Sequence, residues 1–458
     1  SLMNIVLRHS VILTALFALC VPTMHASAAE PLHLTLPQAV ALALARNPDV
    51  QLARNQKTST SIGIVKAQGG FLPSLQLSGS AAHQRYLRDS VARNTDVTRS
   101  ANLQASADLN LFNGFADVSS LKSSKLQFGA ADDSLLRQQQ TVAFDTASQF
   151  VSILTDRELV QVARENLTSQ QDLLKQIEAF YHAGSKPITD LYQQQAAAAQ
   201  SQLDLLSAQR NLDVARLQLL QLLGQVPPTE VDVVAPDTRQ LGTEVDGLDL
   251  NRSFQEALKR RPDLLAQDKQ VMAAQTAVRQ ARAGYLPTLD LVATAGSGYS
   301  SAVSDRNFNQ QFGHDNLDAT IGLSLTVPIF DRDLTRTNVA QARVGVENAS
   351  VTLTKLQQQA GVEVGQALAD YRNAREQLKV AEAKLTYARQ AWQATRARYR
   401  VGASTWIDLS AANATYIQAR NAEVQARYAV LLQGLAVGYY RGDLGKMLAL
   451  LGQQENPS

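Results

Sequence analysis

Tyr399-Arg-Val-Gly402-Ala-Ser-Thr-Trp-Ile-Asp408-Leu409 lies between two long runs rich in Ala, Gln and Leu. The flanking runs read as helices. Gly402 suits the left-handed backbone that ends a helix. Ser404 is placed to cap the next helix, and Asp408 falls near its first turn, where a carboxylate suits the helix dipole. The stretch is therefore the tip of a tight helical hairpin. Tyr181-His-Ala-Gly184-Ser-Lys-Pro-Ile-Thr-Asp190-Leu191 repeats it, with Tyr, Gly, Asp and Leu recurring at one constant offset. Two copies of one tip identify a tandem duplication, which organises the rest of the chain.

The chain has 458 residues, a net charge of +2 and 6% aromatic residues. That charge gives no electrostatic reason to expect a nucleic-acid partner. At the N-terminus, Arg8, the apolar run Val11 to Val21 and Ala26-Ser27-Ala28 form a secretory signal pattern over residues 1–28, with Ala29 as the first mature residue. Cys20 is the one cysteine. Lipidation there is disfavoured, because Leu19 stands where a small residue should precede the acylated cysteine. No later apolar run approaches 20 residues, the length of a transmembrane helix. An exported chain of this kind is either soluble or enters a membrane as β-strands.

Leu36 to Asn47 reads as a short amphipathic helix, and a second runs from Pro48 to about Gly70. At Phe71-Leu-Pro-Ser-Leu75 the hydrophobic period changes from 3.6 to 2. Strands are predicted at about 74–86 and 101–112, with Leu103, Ala105, Ala107, Leu109 and Leu111 alternating with polar residues. From Asp117 to Tyr181 there is no proline, and Leu121, Phe128, Leu135 and Val142 recur by sevens, as do Val160, Leu167 and Leu174. This is a coiled-coil seam on one very long helix. Leu191, Ala198, Leu205, Leu212 and Leu219 continue the pattern on the return helix, which ends at Gly224.

The first repeat thus covers 29–224. Residues 225–247 read as an irregular acidic linker, 248–442 as the second repeat and 443–458 as a C-terminal tail. Arg46, Pro48, Asp49, Leu72 and Pro73 match Arg260, Pro262, Asp263, Leu286 and Pro287, and the offset then grows by four in the loop between the strands. Strands are predicted at about 288–299 and 316–328.

Strands of this length, apolar on one face and polar on the other, suit a barrel with lipid outside and water inside. The alternative is a half-buried strand of a soluble sheet. Export, the absence of any other sheet and apolar faces poor in aromatics favour the membrane. Four strands cannot close a barrel alone, so closure must be shared, and three chains would supply twelve strands.

The ordered set of motifs resembles the TolC family of outer-membrane efflux proteins. It comprises Leu42-Ala-Leu-Ala-Arg-Asn-Pro-Asp49 and Ala257-Leu-Lys-Arg-Arg-Pro-Asp263, Phe71-Leu-Pro-Ser-Leu75 and Tyr285-Leu-Pro-Thr-Leu289. Leu111-Phe-Asn-Gly114, Val327-Pro-Ile-Phe-Asp331 and the two tips complete it. The resemblance implies a mainly α fold with membrane β. Duplicated helical hairpins would form an α-barrel tunnel in the periplasm, below a twelve-stranded barrel in outer-membrane lipid. It implies a homotrimer docked to a periplasmic adaptor and to an inner-membrane pump of the RND, ABC or MFS class. It also implies an exit duct for drugs or other small molecules. The channel of a type I protein secretion system has the same architecture, and a soluble periplasmic scaffold is the rival from another class.

No catalytic motif, cofactor signature or metal site stands out. Asp132-Asp133 reads as a solvated helix face. Asp190 and Asp408, repeated around an aperture, would form carboxylate rings that attract cations; alternatively they only favour their helix N-termini. The resemblance implies that Asp408 and Tyr399 belong to the periplasmic gate. Ser404 and Ala411 stand where the best-known member has an arginine and a second aspartate, so its closing contacts do not carry over. Lys186 is expected to supply the missing cation, opposite Asp408 or Asp190. Gly184, Leu191, Gly402 and Leu409 are the candidates for adaptor docking, since the tips are the end open to a periplasmic partner.

Overall fold

The computed structural model describes residues 32–85, 97–227, 231–236, 244–303 and 305–452. The signal segment and Cys20 lie outside the described residues. Two short helices open the first half. In α1 (Leu36–Arg46) Thr35 and Gln38 form a capping box, and α2 (Pro48–Gly69) starts on Asn47, whose side chain accepts the Asp49 amide at 2.9 Å. The chain then enters the strands β2 (Ser74–Arg85) and β3 (Val97–Asn113), after a short strand β1 (Leu32–Leu34) near the start. The second half repeats this with α5 (Leu250–Arg260), α6 (Pro262–Arg282), β5 (Thr288–Ser300) and β6 (Asp318–Thr326).

The two hairpins do not stay separate. They join through an antiparallel β3–β5 pairing into one sheet of order β2-β3-β5-β6. Register keeps like with like across all four strands. Leu77 faces Ala105, which faces Ala295 and then Ala319, whereas Gln76 faces Ser106, Thr294 and Thr320. One face is therefore apolar and the other polar. The apolar face is bare: Leu75 is 81% exposed and Ile321 73%. The outer strands β2 and β6 each have only one partner strand among the described residues, so each leaves an open edge.

Where strand passes to helix, the backbone turns through left-handed residues. These are Gly114 and Phe115 in the first half (φ 66° for both) and Arg332 and Asp333 in the second (φ 57° and 62°). A non-glycine residue in this region costs about 1–2 kcal/mol. Side chains just before the turn offset it, because Asn113 Oδ1 accepts the Asp117 amide at 3.3 Å and Asp331 Oδ2 accepts the Thr335 amide at 2.8 Å. Gly114 also permits close approach of the halves: a Cβ there would lie 2.8 Å from the Ala283 carbonyl oxygen.

From these turns run α3 (Ala116–His182) and α7 (Leu334–Arg400), each of 67 residues. Each is about 100 Å long at 1.5 Å per residue. The return helices are α4 (Ile188–Leu222) and α8 (Trp406–Arg441). Towards the sheet, α2 and α6 pack beside the long helices; towards the tips, α4 and α8 do. The lateral order at the tip end is α4-α3-α8-α7, with α4 and α7 on the flanks. The α3–α4 seam follows the heptads: Leu191, Ala198, Leu205, Leu212 and Leu219 are all buried. The main core lies near the middle of α3, around Phe150, Ile153 and Leu154, where α1 and further elements wrap the bundle.

Several expectations are corrected here. The linker 225–247 is not wholly irregular, since β4 (Val231–Val233) pairs in parallel with β1. The tail carries α9 (Leu444–Gly452), whose Leu444 and Met447 are buried in the main core. Strand β3 is longer than 101–112, and β6 is shorter than 316–328. Asp132 and Asp133 are not merely solvated. Asp132 pairs with Lys57 of α2 at 2.7 Å, and the nearly buried Asp133 with Lys269 of α6 at 2.5 Å. The two acids thus hold α3 to one helix from each half.

Gly114→Ala should lower stability by about 1–3 kcal/mol, because both strain and overlap oppose it. Gly63→Ala, within α2 and with nothing within 4 Å of the added Cβ, should raise stability by about 0.5–1 kcal/mol. Thermal unfolding of the purified variants checks the opposite signs.

Candidate functional site: the hairpin tips and the seam between them

Both tips close as the duplication predicts, with Gly184 and Gly402 at φ 71° and 76°. In the second, the amide of Gly402 donates to the Tyr399 carbonyl and that of Ala403 to the Arg398 carbonyl. The matching bonds in the first run from Gly184 to Tyr181 and from Ser185 to Phe180. These contacts satisfy the last carbonyls of each descending helix. The helix after the second tip is capped by Thr405, not Ser404. Thr405 has the extended backbone of a cap, and its Oγ1 accepts the Asp408 amide. Ser404 instead donates its hydroxyl to Asp408 Oδ2 at 3.1 Å.

The two tip aspartates, equivalent in sequence, do different things. Asp408 Oδ2 accepts from the Thr405 amide at 3.0 Å and the Thr405 hydroxyl at 2.7 Å, in addition to Ser404. The Thr405 amide, with the two hydroxyls, holds the Asp408 carboxyl below the usual carboxylate range. Asp190 instead accepts the Tyr399 hydroxyl at 3.0 Å, across from one hairpin to the other. Burial, then this bond to a carboxylate, push the Tyr399 phenol well above its ordinary value, so it stays a donor. Lys186 faces neither carboxylate as an ion pair among the described residues. Its Nζ sits 4.1 Å from the centre of the Tyr399 ring, a cation–π contact. Lys186, Tyr399 and Asp190 therefore form one chain of contacts linking the tips.

Leu191 and Leu409 are corrected as docking surfaces. They are buried with Ile177 and Tyr399 in a small cluster of their own, apart from the main core. Their side chains pack inside the tip. The accessible apolar atoms are on Ile188, Tyr192, Val401 and Ile407, which are 41%, 60%, 79% and 67% exposed. Gly184 and Gly402 are exposed, with open space where a side chain would go.

Sequence reading missed what joins the hairpins above the tips. Tyr399 at the end of α7, and Trp406, Asn413, Arg420 and Arg427 spaced by sevens along α8, each bond to the first hairpin. Trp406 Nε1 donates to Gln194 Oε1 at 2.9 Å, Asn413 Nδ2 to Asn166 Oδ1 at 3.2 Å and Arg420 Nη1 to Glu165 Oε2 at 2.6 Å. Arg427 pairs with Glu158, which also accepts the Tyr428 hydroxyl at 2.5 Å. Gln194 is itself fixed on Gln170, and Asn166 on Ser201. A heptad seam is normally apolar; this one is a ladder of hydrogen bonds. The signal was present as a seven-residue spacing of hydrogen-bonding side chains.

No group of three or more His, Cys, Asp or Glu able to hold a metal occurs among the described residues, and no helix there is long and apolar enough to cross a membrane.

A family-wide sequence profile described as outer membrane efflux protein matches residues 39–225 and 254–437. Outer membrane protein TolC of Escherichia coli K12 is 25% identical over 420 residues, covering 90% of this chain and 83% of its own. The pyoverdine export outer membrane protein OpmQ of Pseudomonas aeruginosa is 27% identical, covering 87% of this chain and 82% of its own. Among solved structures, the fold resembles crystalline CusC with a TM-score of 0.77 at 19% identity, covering 89% of this chain and 92% of that one.

Because the Asp408 pKa is depressed in the folded tip, its capping contribution is complete above the unfolded carboxylate range and is lost as pH falls through the folded value. Hydrogen-exchange protection of the first turn of α8 should therefore fall with acidification. Asp408→Asn should show the lower protection already at neutral pH, with no further pH-dependent loss at that turn.

Proposed function

The chain belongs to the outer membrane efflux protein family, and from that premise we propose that three copies form the exit duct of a tripartite efflux system. The protein lies in the outer membrane with its helical body in the periplasm, in a family of channels rather than enzymes. The observation that carries the trimer is the four-stranded sheet with two open edges. In lipid, unpaired backbone groups are costly, so strands must close on themselves. Four strands are too few for one chain to close, and twelve from three chains form a barrel with the apolar faces outward.

The helices support the same count. The flanking helix α4 exposes Leu203, Leu206 and Leu217, and α7 exposes Val380 and Tyr387. These apolar positions face away from the seams inside the chain. In a ring of three copies, α4 of one chain would meet α7 of the next and cover them. The tips then surround the periplasmic mouth. We assign Asp190, Tyr399 and Lys186 to the contacts that hold it closed, and Asp408 to the charge facing solvent there. Gly184 and Gly402, with the exposed side chains beside them, are assigned to docking a periplasmic adaptor that connects to an inner-membrane pump. The pyoverdine export role of the OpmQ relative agrees with passage of small molecules.

The test of assembly uses two cysteines in the otherwise cysteine-free mature chain. Leu206→Cys with Val380→Cys, treated with a short bis-maleimide in isolated outer membranes, should give a covalent trimer, with neither single variant doing so. Monomer alone from the double variant would sink the ring. For the gate, Lys186→Ala and Tyr399→Phe should each raise closed-state conductance in planar bilayers; an unchanged closed state would remove them from it. Gly402→Asp should abolish export with the trimer intact, and loss of the trimer as well would leave the glycine a folding role only.

A further inference from the structure

The end of the sheet away from the helices carries a second built surface. Beyond the apolar band, on the same face, stand His83 and Arg85 of β2 and Arg99 of β3, with His83 directly opposite Arg99. Tyr299 of β5 continues the row, opposite Ala101. All three basic residues are exposed, and neither arginine side chain has a carboxylate partner within 4.0 Å among the described residues. Residues 86–96, between β2 and β3, lie outside the described residues.

The segment after β5 folds back over this face. Gln311, 2% exposed, is its hub. The side chain accepts the Ser300 amide at 3.0 Å and donates to the carbonyls of Ser300 and Arg306 at 3.1 and 2.9 Å. Ser297, on the apolar-side register of β5, donates its hydroxyl to the Phe312 carbonyl at 2.5 Å. These bonds fix an aromatic stack: Phe308 lies edge-on to Tyr299 at 5.1 Å and flat on Phe312 at 5.0 Å. Phe308 remains 46% exposed although the segment beneath it is firmly held. Arg306 pairs with Asp315 at 2.5 Å, and among the described residues Arg85 and Arg99 have no such ion pair.

We infer that this rim, Tyr299, Phe308 and Phe312 beside Arg85 and Arg99, is a binding surface for a phosphate-bearing lipid of the outer leaflet. The inference rests on the outward orientation of the apolar face in the proposed barrel. Aromatic rings favour the level where acyl chains meet headgroups. Guanidinium groups match phosphate in charge and geometry. The row lies on the same face as the lipid-facing band, so a bound lipid would lay its chains on Leu103 and Ala295 and its headgroup on the arginines. The polar face of the sheet is on the other side and does not contribute.

The test is native mass spectrometry of the full-length protein released from phosphatidylcholine nanodiscs containing a diphosphorylated diglucosamine lipid. Wild-type protein should keep that lipid, and Arg85→Ala with Arg99→Ala should lower retention about tenfold or more, the loss expected for one charge-assisted contact. Arg85→Lys with Arg99→Lys should restore most of it. A parallel arm on wild-type protein uses the same lipid stripped of phosphate. Equal retention of the two lipids overturns the inference whether or not the alanine variant assembles. Oligomer size and outer-membrane fractionation of the same samples separate this outcome from a failure of the barrel reading itself.

Discussion

The structure depends on one change of backbone state, the passage from strand to helix at Gly114-Phe115 and Arg332-Asp333. A sheet that suits lipid has period two, and a tube that suits water has period 3.6. The chain must cross between them within a few residues without leaving polar backbone unpaired. Two successive left-handed residues turn the chain, and Asn113 and Asp331 receive the first free amides of the helix. Everything below follows from the direction these turns impose: two 67-residue helices leaving the same end of one sheet. The strain is affordable because it is local and is paired with hydrogen bonds at once.

Much of this was legible in the sequence because its signals are local. The alternation of Leu289, Leu291, Ala293 and Ala295 and the sevens of Leu191 to Leu219 are periodicities read within a single element. The duplication is legible because a copied segment keeps its offset. What failed to show are pairings that only packing decides. By type Ser404 is at least as good a cap as Thr405, yet the extended cap backbone falls at Thr405. Asp132 and Asp133 look like a solvated face until α2 and α6 bring Lys57 and Lys269 beside them. Three-residue β4 has too little pattern to be seen in an acidic linker, and it exists because β1 lies alongside.

At the site, equivalence in sequence misled most. Asp190 and Asp408 hold the same place in their repeats, yet one reaches across to Tyr399 while the other closes its own cap. Proline precedes the first helix at Pro187, where the second has Thr405 with a hydroxyl to offer. Asp190 thus has no capping threonine to engage and is free to bond elsewhere. Leu191 and Leu409 were legible as conserved parts of the internal repeat, but a leucine beside a turn is equally suited to filling it, and burial decides for filling.

The ladder between the two hairpins has a consequence for how they find their alignment. A leucine seam slipped by one heptad, about 10 Å along the helix at 1.5 Å per residue, looks nearly the same to itself. The ladder does not, because its rungs differ: indole on amide, amide on amide, guanidinium on carboxylate. A slip that carried Asn413 into the place of Arg420 would set an amide against Glu165 and leave that carboxylate without its guanidinium. Each rung therefore acts as a tooth of a key, and the five together admit one axial setting, so that both tips end level at the same plane.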